Sequence, residues 1–410
     1  MFLIYDIFFF IFAIFYMPYM LLSGRCHKGI LQRLGFYPEE VRQALGSKGA
    51  IWLHAVSVGE VNAVKPFWEG LRRDFPGRKL ICSTVTRTGN KIARAFAKPG
   101  ETVCFFPLDL SFIAGRIFGK SRLGAFIIAE TELWPNVIRA VHKKGIPVIL
   151  INGRISDKAY ARYKIVSLIL KDTLRRVRVF CMRSRQDEDR IISLGAPRQN
   201  VRVTGNMKFD AAKHQGREED RPFAAPPDKE TVFVAGSTHP GEEEIVLRVY
   251  KKLLKERPGL KLVIAPRHID RAGRIRELIK KFDFEPDSAP VVVDTFGRLE
   301  GFYSIASLVF VGGSLIKHGG HNIIEPAIYK KAILFGPFMF NFRDIAGEFL
   351  KGNAAIEIKN EGDMLQKCSR LLAEPELRAE IGQRAYDIVR GNMGAAERNL
   401  AALKGVLKNA

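Results

Sequence analysis

The sequence is poor in the features that most quickly assign a class. Its five cysteines in 410 residues (Cys26, Cys82, Cys104, Cys181 and Cys368) form no C-x-x-C pair. Odd in number and scattered, they exclude a disulfide framework and a structural zinc site, and fit reduced thiols in a cytosolic compartment. No G-x-x-x-x-G-K-[ST] loop occurs, which argues against phosphate-loop chemistry. No G-x-G-x-x-G follows the first strand, which argues against a nicotinamide cofactor. There is no RNA-binding motif and no basic tail, so nucleic acid is not an expected partner. Short internal repeats and low-complexity tracts are absent. Acids are outnumbered: 65 Lys and Arg against 43 Asp and Glu give a net charge of +22. Such an excess points to an anionic partner, a phosphorylated substrate or an acidic membrane surface.

What is present begins with an apolar run over residues 2–22, broken only by Asp6 and Pro18. At ~1.5 Å per residue it reaches about 31 Å, one hydrocarbon thickness. It lacks the basic leader and small-residue cleavage site of a signal peptide. An uncleaved membrane anchor over residues 1–24 is therefore expected. Arg25, His27, Lys28 and Arg33 follow it, so the positive-inside rule leaves the remaining chain in the cytoplasm. With Phe36 and Tyr37 these cations could also rest on an anionic membrane surface.

The rest alternates short apolar runs with amphipathic stretches and shows no hairpin signals. Strands are expected at 50–55, 80–84, 102–106, 125–129, 147–151 and 177–182, each followed by a helix. A polar, proline-bearing stretch to residue 230 reads as a linker. The pattern then restarts with strands at 231–235, 261–265, 290–294, 307–311, 332–335 and 354–358. This predicts an α/β protein of two similar Rossmann-like domains with a cleft between them. The expected domains are residues 25–207 and 231–410, joined by a linker at 208–230. A final helix at 397–407 could cross back to the first domain.

Ligands in such folds bind at the carboxyl ends of strands, and the chemistry-bearing residues fall there. Glu60 lies at the turn after the first strand, in H-A-V-S-V-G-E (54–60). The helix dipole beside it is expected to lower its pKa. Arg87 and Glu130 end two further strands; each alone could equally be a cap or a salt-bridge partner. In the second half, residues 309–337 read VFVGGSLIKHGGHNIIEPAIYKKAILFGP, a strand, a glycine loop, a helix start and a strand. Gly312, Gly313, Gly319 and Gly320 would let an anion approach the backbone beside a helix N-terminus, or would serve only as tight turns. Glu325 near that helix start is placed to hold ribose hydroxyls. Arg267, after another strand, would neutralise a phosphate if it lay beside this loop, or is a surface arginine. His239, His268, His318 and His321 match no standard zinc spacing, so no metal is expected.

Six motifs in this order resemble the 3-deoxy-D-manno-octulosonic acid (Kdo) transferases, GT-B glycosyltransferases of family 30. They are H-A-V-S-V-G-E (54–60), E-T-E-L-W-P-N (130–136), G-N-M-K-F-D (205–210), G-S-T-H-P-G-E (236–242), P-R-H (266–268) and F-V-G-G-S-L-I-K-H-G-G-H-N-I-I-E-P (310–326). The resemblance implies a GT-B fold and inverting transfer of Kdo from CMP-Kdo to the lipid A precursor, lipid IVA. It implies Glu60 as catalytic base. It implies CMP contacts from Pro266, Arg267, Phe296, Gly297, Arg298, Asn322, Ile323, Ile324 and Glu325. Ser57, Gly59, Arg87, Glu130, Lys208, His239, Gly312, Gly313 and Gly320 would line the substrate cleft. Arg87 or Lys208 would hold the Kdo carboxylate or an acceptor phosphate. A monophosphate leaving group needs no divalent metal, so no cofactor is implied. The implied location is the cytoplasmic side of a bacterial inner membrane. Gln32, in Leu31-Gln32-Arg33-Leu34-Gly35, replaces an acid that some members carry, which bears on acceptor contact. A GT-B enzyme using a UDP-sugar is the alternative.

Overall fold

The computed structural model describes residues 5–7, 10–11, 29–212, 231–295 and 297–408. Most of the expected anchor, most of the expected linker and Phe296 lie outside the described residues. Among the described residues, no helix is long and apolar enough to cross a membrane. The chain divides into two compact units, residues 1–211 with 393–410, and residues 212–392.

The first unit is built on β1 (Ala50–His54), β2 (Leu80–Thr84), β3 (Thr102–Phe105), β4 (Leu123–Ala129), β5 (Val148–Gly153), β6 (Val179–Met182) and β7 (Val201–Val203). They form a parallel sheet in the order β3-β2-β1-β4-β5-β6-β7. β7 was not expected from sequence; it is only three residues long and two of them are exposed. The central strands are buried along their whole length, β1 (AIWLH) at every residue. That is why they read as unbroken apolar runs rather than alternating ones. The pleat nevertheless sorts them. Ala50 and Trp52 enter one core layer, Ile51 and Leu53 the other. Trp52 anchors its layer, stacked on Phe118 with ring centroids 5.2 Å apart and edge-on to Phe126 at 5.7 Å. Each such pair adds about 0.5–1.5 kcal/mol beyond its buried area. The Trp52 indole donates to Ser83 Oγ at 2.7 Å, so the ring's polar atom is satisfied in the core.

The second unit contains β8 (Thr231–Thr238), β9 (Leu260–Pro266), β10 (Val291–Val292), β11 (Leu308–Val311), β12 (Ala332–Phe335) and β13 (Ile356–Glu357). Its parallel order is β10-β9-β8-β11-β12-β13. Helices Glu242–Glu256 and Glu361–Ala373 bury Leu253, Leu371 and their neighbours against it. In both units the strand order reverses once, between β1 and β4 and between β8 and β11. The loops after those strands diverge to opposite faces and leave a crevice at the carboxyl edge.

The second unit ends at Asn392 rather than at residue 410. The last helix, Ala395–Lys408, belongs to the first unit, where Leu400 and Leu403 join the core layer of Ile51 and Leu53. Gly70, on helix Val58–Asp74, makes room for it: a Cβ there would lie 2.0 Å from Leu400 Cδ1. The G-N-M-K-F-D motif secures the start of this helix. Asp210 Oδ1 accepts from Gly394 N and its Oδ2 from Ala396 N, both at 2.6 Å. Arg398 donates to the Thr204 carbonyl at 2.7 Å. Removing this buried acceptor strands two N–H groups at a helix start, which costs about 1–3 kcal/mol. In Asp210→Ala, amide hydrogen exchange over residues 395–408 is therefore predicted to speed up by roughly ten- to a hundredfold. Unchanged protection would show that packing alone holds the helix.

Candidate active site

In the first unit, the site gathers at the reversal between β1 and β4. β1 ends at His54, and Ser57 precedes the first turn of helix Val58–Asp74, which carries Glu60. S-x-x-E at a helix start is the sequence of a capping box, but the bonds differ. Glu60 Oε2 accepts from Val56 N at 2.7 Å, and Oε1 accepts from Ser57 Oγ at 3.3 Å. The carboxyl is buried, at 9% exposure. Glu130 follows β4, with Glu132 two residues on. Glu130 holds a left-handed backbone at φ +59° and pairs with the buried Arg183. A non-glycine residue there is uncommon, and such strain concentrates at functional sites.

The expected lowering of the Glu60 pKa is not found. Burial, then the nearby Glu130 and, more weakly, Glu132, push it up to about 8, against the hydrogen bonds from Val56 and Ser57. Desolvation and like charge outweigh a dipole whose effect is confined to the first turn. A free glutamate ionises at much lower pH. This group's contribution to stability therefore falls as pH rises from the ordinary carboxylate range to about 8.

The neighbouring turn is close. Thr86 Oγ1 accepts from Gly89 N at 3.1 Å, capping helix Arg87–Phe96, and Arg87 is exposed on its first turn. A Cβ on Gly89 would lie 3.2 Å from the Ser57 carbonyl carbon, so the two turns abut. Gly59 is exposed between them. Lys208 is partly exposed in the loop after β7, its N–H bonded to Asn206 Oδ1 at 3.1 Å. Met207 N donates to Asn152 Oδ1 at 3.0 Å, tying that loop to the end of β5.

In the second unit, three N–H groups of the glycine loop after β11, those of Gly313, Ser314 and Leu315, are engaged within the chain. They hold Glu242, the first residue of helix Glu242–Glu256. Its Oε2 accepts from Gly313 N at 2.7 Å and His239 N at 3.0 Å. Its Oε1 accepts from Ser314 N and Leu315 N, both at 3.0 Å. The anion in this nest is the chain's own carboxylate. Gly312 is required by that approach: a Cβ would lie 2.6 Å from Ser237 O and 2.9 Å from Glu242 Oε2. The loop's role is thus to buckle β8 to β11 and set the side chains beyond it.

Those side chains are His239 after β8 and His318 and His321 after β11. Pro266 ends β9 and is buried; Arg267 and His268 follow it exposed. Arg267 N donates to Thr238 O at 3.0 Å, next to His239, and its charge helps hold His239 and His321 below the usual imidazole range. Ile323 and Ile324 are wholly buried in the core, and Ile324 N is already given to Asn322 Oδ1 at 3.2 Å. Asn322 also donates to Glu325 Oε1 at 3.0 Å, and burial pushes the Glu325 carboxyl up to about 7. Gly297 and Arg298 are exposed before helix Leu299–Ile305. Gly320 N donates to Gly313 O at 2.8 Å, folding the loop back on itself.

Carboxyl carbon-13 NMR of Glu60 is predicted to give a titration midpoint near 8. In Glu130→Gln the midpoint drops but stays above the free value, since burial is the larger cause. A midpoint in the ordinary carboxylate range in the unmodified protein would refute this electrostatic picture.

The chain has relatives among known proteins. Residues 28–211 match the family model described as 3-deoxy-D-manno-octulosonic-acid transferase (kdotransferase). A 3-deoxy-D-manno-octulosonic acid transferase of Haemophilus influenzae is 31% identical over 400 residues, covering 94% of this chain and 93% of that one. A bifunctional glycosyltransferase/methyltransferase of Fusobacterium nucleatum is 36% identical over 354 residues; 81% of this chain takes part, spanning 54% of that protein. Among solved structures, the UDP-GlcNAc 2-epimerase of Neisseria meningitidis is similar in fold, with a TM-score of 0.61 at 15% identity over 87% of this chain and 100% of that one. Sequence likeness along most of its length thus establishes that the chain belongs to the Kdo transferases, glycosyltransferases of lipopolysaccharide biosynthesis.

Proposed function

We propose that the chain transfers Kdo from CMP-Kdo to a lipid A precursor, lipid IVA, inverting the anomeric carbon, without a metal. The observation that carries this is Glu60: a buried carboxyl at the strand-order reversal, held by two short-range donors and tuned to about 8. A general base works best when its pKa lies near the working pH. Ionised Glu60 takes the proton from an acceptor sugar hydroxyl as that oxygen bonds to the anomeric carbon of Kdo. The bond from that carbon to the phosphate oxygen breaks, and CMP leaves with the electron pair.

The first unit supplies the base, with Arg87 and Lys208 for the anionic groups of Kdo or acceptor. The second unit supplies the nucleotide contacts. Arg267 and Arg298 meet phosphate charge, and Asn322 with Glu325 meets the ribose. Ile323 and Ile324 serve only to place those two polar neighbours. The acceptor is an anionic lipid, which suits a net charge of +22. We place the enzyme on the cytoplasmic side of a bacterial inner membrane. Tyr5 donates to Asp109 Oδ2 at 2.9 Å, and Asp6 accepts from Asn136 at 2.7 Å, so the start of the apolar run is fastened to the E-T-E-L-W-P-N segment.

The test is transfer from CMP-Kdo, made in situ, to tetra-acylated lipid A precursor in detergent micelles, with EDTA added once the donor has formed. A mass gain of one or more Kdo units is expected. CMP should inhibit where UDP does not, and Glu60→Gln should fold normally yet lose about 10²-fold or more of the rate. UDP inhibition without CMP inhibition would redirect the donor to a UDP-sugar. Normal turnover in Glu60→Gln would remove Glu60 as base.

A further inference from the structure

The second unit contains a cluster that the transfer step does not use. His239 Nε2 and His321 Nε2 face each other at 2.8 Å, joining residues 82 apart in sequence. Their rings are parallel within 2°. His318 lies against His239 with ring centroids 3.8 Å apart, and His268 stands edge-on at 5.9 Å. Gly313, at φ +67°, leaves the space: a Cβ there would lie 3.0 Å from His321 Nε2 and 3.4 Å from His239 Cδ2. His239 is almost wholly buried, at 3% exposure.

Two nitrogens at this distance share one hydrogen. With both rings neutral, one Nε2–H donates to the other ring's Nε2 lone pair, so neither Nε2 is open to a metal while the contact holds. A single added proton gives an imidazolium–imidazole pair, whose hydrogen bond is charge-assisted. A second would set two N–H groups against each other. The pair therefore accepts one positive charge and no more.

The groups facing it are cationic or potentially so: His318, His268, Arg267 and Arg271. The nearby acids are already engaged. Glu242 is spent on four backbone N–H groups, including that of His239, and Glu243 is paired with Arg271. Burial first, then these neighbours, lower His239 to about 4 and His321 to about 3. With the site empty, the pair is neutral at physiological pH. An anion brought beside Arg267 reverses the sign of the neighbouring field.

We propose that the His239–His321 pair is a proton-loaded anion grip, taking up one proton as the phosphate of the donor nucleotide binds and releasing it when the nucleotide departs. This rests on the reading of the second unit as the donor-nucleotide unit. The grip is strong only while the anion is present, so it helps capture the nucleotide without leaving buried charge behind.

Isothermal titration of the whole protein with CMP, and in parallel UMP, tests it in buffers of different ionisation enthalpy. At roughly pH 8 the nucleotide phosphate is already fully ionised and contributes no proton change of its own. Net proton uptake, at most one per nucleotide bound, is expected. His239→Asn and His321→Asn should each bind without that uptake. Nitrogen-15 NMR of the imidazoles in the unmodified protein should show one ring pair becoming cationic on binding, a readout that needs no variant. Nucleotide binding with no proton uptake overturns the proposal, as does uptake that survives in both variants. UMP binding with uptake but no CMP binding would sink the CMP reading and leave the grip standing. Binding of neither nucleotide overturns both.

Discussion

The constraint on which the rest depends is the reversal of strand order in each parallel sheet. β1 and β4 in the first unit, and β8 and β11 in the second, sit side by side while their following helices pass to opposite faces. Backbone at the carboxyl edge is left uncovered there, and polar groups can sit at the end of a fully apolar core without crossing it. Glu60 and Glu130 occupy the first reversal; His239 and His321 occupy the second.

The two reversals are tuned in opposite senses by the same force. In the first unit, desolvation and crowding of carboxyls hold a glutamate protonated well past its ordinary range, leaving a base strong enough to accept a hydroxyl proton. In the second, desolvation and crowding of cations hold two imidazoles neutral until an anion arrives. Each is a group kept in its uncharged form by burial and by neighbours of its own sign. The backbone around them is committed elsewhere: Val56 N to Glu60, and the Gly313–Leu315 N–H groups to Glu242.

Much of this was legible in the sequence because parallel strands buried on both faces announce themselves as apolar runs. All six strands of the second unit and six of the seven described in the first were expected near their observed places; β7 was too short and too exposed to register. The residues at strand ends were legible for the same reason. What could not be read were effects that join distant positions. The upward Glu60 shift depends on burial of the carboxyl in the folded chain and, next, on Glu130, seventy residues on. The place of Glu242 in the glycine nest depends on the β8–β11 pairing. Asp210 looked like part of a compact motif, but its carboxylate caps a helix that returns from residue 395. The histidines were judged by their spacing in sequence, which carries no information about a contact made across two loops.

The most direct test of the account is the pH dependence of Kdo transfer under donor-limited conditions. If Glu60 is the base with the ionisation its surroundings impose, kcat/KM should climb about tenfold per pH unit and level off near 8. Glu130→Gln should move that limb to lower pH. A rate flat from mildly acidic to mildly alkaline pH, or a limb that ignores Glu130, would contradict the assignment of the proton transfer to this carboxyl.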